Sequence, residues 1–233
     1  MKTTKLKSRT GGIQGVFVTG TDTGVGKTYI AAGIARALRN KGIDVGVMKP
    51  AETGCRNRAG KLVPADAVRL KAAAGADDDL DMINPYRFKK PLAPAIAAEL
   101  EGKTIDPREL LTIFRKLVGK HEYVIVEGAG GIMVPIRGKY TYLDLAAALL
   151  LPVLVVARPG LGTINHSLLT IAALRARGVA VAGMVLNYAL AFRTGIAERT
   201  NKAALERISE IPVLGTFHHG AGDFNELADL LKE

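Results

Sequence analysis

The stretch that most constrains what this chain can become is Gly20-Thr21-Asp22-Thr23-Gly24-Val25-Gly26-Lys27-Thr28. An apolar run, Val16-Phe17-Val18, precedes it, and a helical pattern from Tyr29 to Asn40 follows. Strand, glycine-rich turn and helix, in that order, are the context of a phosphate-binding loop. Glycines let backbone N–H groups approach an anion, and the helix N-terminus adds partial positive charge. In such a loop Lys27 reaches the β- and γ-phosphates of a nucleotide, and Thr28 offers its hydroxyl to Mg²⁺. The usual motif has glycine five residues before Gly26, where this chain has Thr21; Gly20 stands one residue earlier, so the loop is longer by one.

The rest of the chain alternates strand and helix patterns. Val45 to Met48 is a short β-type run that ends at Lys49-Pro50, and Pro50 disfavours helix at Lys49. Asp66 to Ala74 reads as helix, Asp77 to Asp81 as an acidic loop, and Asn84 to Tyr86 and Pro91 to Pro94 as irregular chain. Asp106-Pro107 is an N-cap followed by proline at the first helical position, with Leu110, Leu111, Phe114 and Leu117 at helical spacing behind it. Tyr123 to Val126 is a continuous apolar run, as in a strand buried on both faces, and it ends in Glu127-Gly128-Ala129-Gly130-Gly131. Val153 to Val156 and Val179 to Leu186 are further strands, the latter ending at Asn187. Helices are expected over Thr163 to Arg177, Ile196 to Ser209 and Asp223 to Lys232, with a short strand at Val213-Leu214. The pattern specifies an α/β fold of the P-loop NTPase type, with a mainly parallel central sheet and helices on both faces. In such sheets ligands bind at the carboxyl ends of the strands, so Lys27, Lys49, Glu127 and Asn187 are expected to converge.

Composition narrows the class. The 233 residues are read as one domain, with 48% hydrophobic content and enough length for a large core. The formal charge is +10, from 32 basic and 22 acidic residues, and it suits attraction of anions such as ATP. Lys2, Lys5, Lys7 and Arg9 lie in a segment without an apolar stretch, so residues 1–12 read as a mobile basic tail and not as a secretory signal. There is no Trp and no basic patch with interleaved aromatics, so nucleic acid is not an expected partner. Cys55 is the only cysteine, which rules out an internal disulfide framework and fits the cytoplasm. The longest apolar run, Leu145 to Ala157, contains Pro152 and is shorter than the ~20 residues that span a bilayer. No membrane partner is expected.

Three further residues carry candidate chemistry. Glu127, at the end of a buried strand, stands where a P-loop protein places an acid to hold Mg²⁺ or its waters, and the glycines after it let backbone approach a ligand. Asp66 is either the start of a helix or a second carboxylate for the same cation. Lys49, a cation at a strand end, calls for an anion nearby, with the Thr53 hydroxyl close behind it.

Taken together, the loop Gly20 to Thr28, Lys49-Pro50 with Thr53-Gly54, Asp66, and Val126 to Gly131 resemble the dethiobiotin synthetase family of biotin synthesis. Gly160-Leu161-Gly162-Thr163-Ile164-Asn165-His166 and Gly183-Met184-Val185-Leu186-Asn187 extend the resemblance, which runs in order from about Val16 to Gly215. The resemblance implies a ligase that builds the ureido ring of dethiobiotin from 7,8-diaminopelargonate, CO₂ and ATP, with Mg²⁺, through a carbamate and a carbamic–phosphoric anhydride. It implies that Lys27 and Lys49 act on the transferring phosphate and carbamate. ATP would lie on Gly24, Val25, Gly26, Lys27, Thr28 and Tyr29, with Asp66, Glu127, Gly128, Ala129 and Gly130 lining the site and Asn187 reading adenine. Mg²⁺ would be held by Thr28, Asp66 and Glu127. The substrate would touch Thr23 and Thr53, and its carboxylate would meet the helix start at Gly162, Thr163 and Asn165. The family also implies a homodimer, whose two-fold interface lies near that helix.

Two departures and two alternatives complete the reading. Thr216-Phe217-His218-His219-Gly220 stands where the family carries a Pro-rich stretch beside adenine, so a nucleotide-contacting or solvated loop is expected there and base specificity stays open. No tyrosine stands in Ile196 to Ile211 to cross a dimer. A corrinoid-type amidoligase would need a glutaminase domain, for which this chain is too short. A ParA/MinD-like ATPase switch would need a lysine five residues before Lys27, where Asp22 stands.

Overall fold

A computed structural model describes residues 14–189, 195–218, 220 and 222–232. The expected basic tail and His219 lie outside these residues. In chain order the elements are β1 (Gly15–Gly20), α1 (Lys27–Asn40), β2 (Val45–Met48), β3 (Ala51–Glu52), β4 (Arg56–Arg58), β5 (Lys61–Val63) and α2 (Ala65–Ala74). Then come α3 (Leu80–Ile83), β6 (Tyr86–Arg87), α4 (Pro94–Leu100), α5 (Pro107–Lys120), β7 (Tyr123–Gly131), β8 (Pro135–Arg137), β9 (Tyr140–Thr141) and α6 (Tyr142–Leu149). The last are β10 (Val153–Ala157), α7 (Thr163–Ala176), β11 (Val181–Tyr188), α8 (Ile196–Ser209), β12 (Val213–His218) and α9 (Asn225–Lys232).

Six strands form one sheet in the order β12-β11-β10-β1-β7-β2, and every pairing in it is parallel. Alternate residues of each strand feed opposite faces, because side chains in a strand alternate with period two. Val16, Val18, Ile125, Leu154 and Val156 pack under α1, α2 and α9. Phe17, Val124, Val126, Val153 and Val155 pack against α4, α5, α6 and α7 on the other face. Both faces being covered explains why the central strands read as unbroken apolar runs. The chain leaves β1 toward β2 on one side and later fills β10 on the other, so the strand order reverses at β1, where a ligand crevice opens in this class of sheet. Among the described residues no helix is long and apolar enough to cross a membrane.

Several boundaries differ from the expectations. β7 does not stop at Val126: it runs on to Gly131, because Val18 pairs with Glu127 and Gly20 with Gly131 alongside β1. Asn187 likewise lies inside β11, paired with Phe217 of a β12 longer than the two residues expected. Pro94 opens a helix instead of irregular chain, and Leu80 starts the short α3 out of the acidic loop. The Asp106 cap is as expected, with its carboxylate accepting from Arg108 N–H at 2.9 Å.

Candidate active site

The first turn of α1 carries no acidic side chain, and its N-cap, Gly26, provides no side-chain acceptor. Its leading N–H groups are therefore directed at whatever occupies the loop. Gly24 and Gly26 both have positive φ, 74° and 92°. At Gly26 a Cβ would also lie 2.0 Å from Nδ2 of Asn187, so glycine is needed twice over, for backbone and for space. The Asn187 amide donates to Val25 C=O at 2.8 Å, which ties β11 to the loop, and its buried Oδ1 is left without a hydrogen-bond partner.

Lys27 is buried, and its Nζ donates to the backbone carbonyl of Asp22 at 3.0 Å. Burial lowers its pKa to about 8, with the nearby Lys49 adding to the effect. Asp22 also pairs with Arg158, a cation just beyond β10, so the loop is held from the neighbouring strand as well.

Lys49 projects from the end of β2 into the same site and is 2% exposed. Its Nζ lies 2.6 Å from Oε1 of Glu127 and 3.0 Å from Oδ2 of Asp66, and it reaches Gly128 C=O at 3.3 Å. Burial works against the ammonium, but the two carboxylates outweigh it and raise its pKa, so Lys49 is a fixed cation. The same pairing lowers Asp66 despite that residue's own burial. The backbone of Lys49 is held on both sides: its N–H donates to Ile83 C=O at 2.7 Å, and its C=O accepts from the buried Asn84 amide at 2.6 Å. Thr28 Oγ1 donates to Glu127 Oε1 at 2.8 Å. Glu127 is fully buried, yet its Oε2 has no partner. A buried carboxylate oxygen is costly to leave unmatched, and here it faces a site already furnished with a hydroxyl and a second carboxylate. Those are the hard oxygen donors that Mg²⁺ takes, alongside nucleotide phosphates.

One cavity of about 1180 Å³ gathers these groups. Thr23, Gly24, Gly26, Lys27, Thr28 and Tyr29 line it from the loop side; Lys49, Thr53, Asp66, Glu127, Ala129, Gly130 and Asn187 line it from the sheet edge. Val25 is instead fully buried beneath the loop, and Gly128 packs close to the rings of Phe17 and Tyr142. The expected substrate residues Gly162, Thr163 and Asn165 are not brought into this cavity. Gly162, at φ 91°, opens α7 without a side-chain cap; Gly162 and Asn165 are exposed and Thr163 is buried. The His218 ring stacks on Tyr188, with 4.4 Å between centroids.

Glu52 is a residue that the sequence reading missed. The N-cap of α2 is Pro64, which provides no side-chain cap. The buried Glu52 carboxylate takes that part from β3, accepting from Asp66 N–H and Ala67 N–H, each at 3.0 Å. Burial raises its pKa, while the two N–H donors pull it back. Only the crossing of β3 over the start of α2 makes this visible; the one signal in sequence is an acid inside Lys49-Pro50-Ala51-Glu52-Thr53. Cys55, nearby, is buried with its thiol pushed up to about 11, which leaves it inert as a nucleophile.

With this geometry in place, the similarities to other proteins fall into two groups. Residues 14–220 match a family model described as an AAA domain. The chain is 41% identical to the ATP-dependent dethiobiotin synthetase of Thermodesulfovibrio yellowstonii, over 86% of this chain and 87% of the relative. It is 53% identical to the enzyme of that name from Anaeromyxobacter dehalogenans strain 2CP-1, over 75% and 77%. A third, from Bacillus licheniformis, is 43% identical over 87% and 85%. Among solved structures, the cell-division ATPase MinD of Pyrococcus furiosus superposes with a TM-score of 0.56 at 19% identity, covering 95% of this chain and 98% of that one. The signal recognition particle receptor FtsY of Elizabethkingia anophelis gives 0.52 at 16%, over 98% and 69%. At those identities the two structures speak for the fold alone: a P-loop NTPase sheet with its helices.

Proposed function

The chain belongs to the dethiobiotin synthetase family, and we propose that its cavity closes the ureido ring of dethiobiotin from 7,8-diaminopelargonate, CO₂ and ATP. It is an ATP-dependent ligase of biotin synthesis. The observation that carries the site reading is Lys49, a buried ammonium held between Glu127 and Asp66 beside the phosphate loop.

In the proposed sequence one amine of the substrate adds to CO₂, forming a C–N bond and losing a proton to give a carbamate. A carbamate oxygen attacks the γ-phosphorus of ATP, the bond to the β-phosphate oxygen breaks, and ADP leaves. The second amine attacks the carbonyl carbon of the resulting anhydride, the new C–N bond closes the ring, and phosphate departs as the amine gives up its proton. Carbamate and γ-phosphate are both anions, so their approach needs fixed positive charge. Lys27 would hold the β- and γ-phosphates. Lys49 would hold the carbamate against the γ-phosphate and follow the negative charge as it moves to the leaving phosphate. The free Oδ1 of Asn187 suits the exocyclic amine of adenine. Mg²⁺ would be held by Thr28, Asp66 and Glu127, where the unmatched Oε2 of Glu127 supports a further cation, and it would neutralise phosphate charge.

We read the chain as a single ligase domain working as a cytoplasmic homodimer, with neither nucleic acid nor membrane as a partner. Thr23 and Thr53 would meet the diamine from within the subunit. Gly162, Thr163 and Asn165 would meet its carboxylate from a second copy, since they stand outside this subunit's cavity. Leu161, 97% exposed just before α7, and the exposed Leu169 on that helix supply apolar surface for that contact.

The test is ATP turnover with Mg²⁺ and bicarbonate, with and without 7,8-diaminopelargonate, the organic product being identified by mass. Phosphate release that requires the diamine and yields dethiobiotin is expected. Turnover indifferent to the diamine but stimulated by DNA would overturn the reading.

A further inference from the structure

The cavity is larger than the ~300–1,000 Å³ of ordinary ligand pockets, and part of it lies away from the chemistry described above. Helices α1 and α2 run side by side in the same direction. At their starts, Thr28 and Asp66 line the same cavity; at their ends, the Arg39 guanidinium lies against Gly75, where a Cβ would come within 2.6 Å of Arg39 Nε. The outer face between them is floored by Ala32, Ala72 and Ala73, whose small side chains leave it open. Arg36, Arg39 and Arg69 line it, and all three are exposed. Among the described residues none of the three guanidiniums makes a hydrogen bond or an ion pair. Three unmatched guanidiniums on one cavity wall make a strong anion field, and guanidinium is the side chain best suited to bidentate phosphate contact. Arg39 has a use of its own, facing the C-terminal cap of α2, where helix carbonyls attract a cation. Arg36 and Arg69 have none.

We propose that Arg36 and Arg69 form a second phosphate site, continuous with the phosphate loop, for nucleotides that carry a phosphate on a ribose hydroxyl as well as at the 5′ position. This rests on the reading that the loop holds a nucleotide. Arg36 follows Lys27 by nine positions on one helix, about 14 Å at the α-helical rise. Helix side chains lean toward the N-terminus, which brings the Arg36 guanidinium back toward Tyr29 and the ribose end of a bound nucleotide. Arg69, one turn beyond Asp66 on α2, closes from the other side. ATP alone leaves this wall unmatched. A ribose-phosphorylated nucleotide engages both ends, competes with ATP, and so acts as an inhibitor of the ligase.

Calorimetric titration of the full chain tests this with AMP, adenosine 3′,5′-bisphosphate and adenosine 2′,5′-bisphosphate. At least one bisphosphate is expected to bind about tenfold or more tightly than AMP, from the added charge-assisted contacts. In Arg36→Ala/Arg69→Ala that gain is expected to fall below about twofold, and in Arg36→Lys/Arg69→Lys to survive in part, with charge kept but the fork lost. Equal affinity of AMP and both bisphosphates in the wild type, or a gain that persists in the double alanine variant, overturns the proposal. If ATP binds while the bisphosphates gain nothing, only this inference falls. If no nucleotide binds at all, the reading of the loop falls with it.

Discussion

Lys49, just past the end of β2, and Glu127, within the neighbouring strand β7, form a buried ion pair, with Nζ 2.6 Å from Oε1 and both side chains at or below 3% exposure. Asp66 completes it from α2. The arrangement holds one cation rigidly where the proposed reaction would bring two anions together. Lys49→Ala is expected to lower ligase kcat about 10²- to 10³-fold, the scale of losing one preorganised charge donor, while ATP affinity changes far less. It also leaves Glu127 buried without its counter-ion, which costs on the order of 3 kcal/mol of stability. Added Mg²⁺ should then raise Tm more in the variant than in the wild type. Equal Mg²⁺ stabilisation of the two proteins would rule out a cation site at Glu127 and Asp66.

Lys27 makes the phosphate loop sensitive to alkaline pH. Burial, with the neighbouring Lys49, lowers its pKa to about 8, below the usual lysine value. Between that value and the unfolded lysine value near 10.4 the unfolded chain holds more proton at this position, so the contribution of Lys27 to folding stability rises with pH across that window. Nucleotide binding runs the other way, since phosphates need the ammonium. ATP affinity is expected to be roughly tenfold weaker at pH 9 than at pH 7, and binding at pH 8 to take up about half a proton. Calorimetry in two buffers of different ionisation enthalpy reads both quantities. Affinity flat from pH 7 to 9, without proton uptake, would contradict the burial of Lys27 as a charged group.

The sequence was most legible where a local rule and the global fold agree. Val16 to Thr28, Lys49-Pro50 and Tyr123 to Val126 each carry strand pattern and strand-end chemistry within a few residues, so the sheet edge that gathers Lys27, Lys49 and Glu127 could be anticipated. Asp66 stayed ambiguous for a physical reason: an acid in the first turn of a helix looks the same whether it serves the helix or a ligand. Its pairing with Lys49 depends on packing between α1, α2 and β2. Glu52 was invisible because its partners are the backbone N–H groups of residues 14 and 15 positions on. Gly128 and Gly130 look alike in sequence, yet Gly128 packs against aromatic rings while Gly130 faces the cavity at φ 66°. The short helix from Pro94 was lost among prolines that read equally well as irregular chain.

The two loop glycines separate strain from obstruction. Gly24 has φ 74° and nothing within 4 Å of an added Cβ, so Gly24→Ala bears only the left-handed backbone penalty, about 1–2 kcal/mol. Gly26→Ala bears that penalty and also drives a methyl to 2.0 Å from Asn187 Nδ2. Gly26→Ala should break the Asn187–Val25 hydrogen bond, lower Tm and weaken ATP binding more than tenfold, with Gly24→Ala clearly milder on both measures. Equilibrium dialysis with labelled ATP and thermal melts decide it. If the two variants behave alike, Asn187 does not hold the loop.

Glu52 lines the cavity and is tied to Asp66 through the start of α2. Its two oxygens fix Asp66 N–H and Ala67 N–H, and so set where the Asp66 carboxylate points relative to Lys49. Glu52→Ala leaves two N–H groups at the start of a helix without an acceptor, a cost of about 0.5–2 kcal/mol by analogy with losing an N-cap. Glu52→Gln keeps one acceptor oxygen but turns an amide donor toward the other N–H group, so it should rescue stability only in part. Loss of stability alone would describe a structural brace. The positioning role predicts more: the Mg²⁺ concentration for half-maximal ligase activity should rise about tenfold in Glu52→Ala and by less in Glu52→Gln. Both variants should be assayed well below their Tm so that all the protein is folded. An unchanged Mg²⁺ requirement in Glu52→Ala would confine Glu52 to holding the helix, and Asp66 would then owe its place to Lys49 alone.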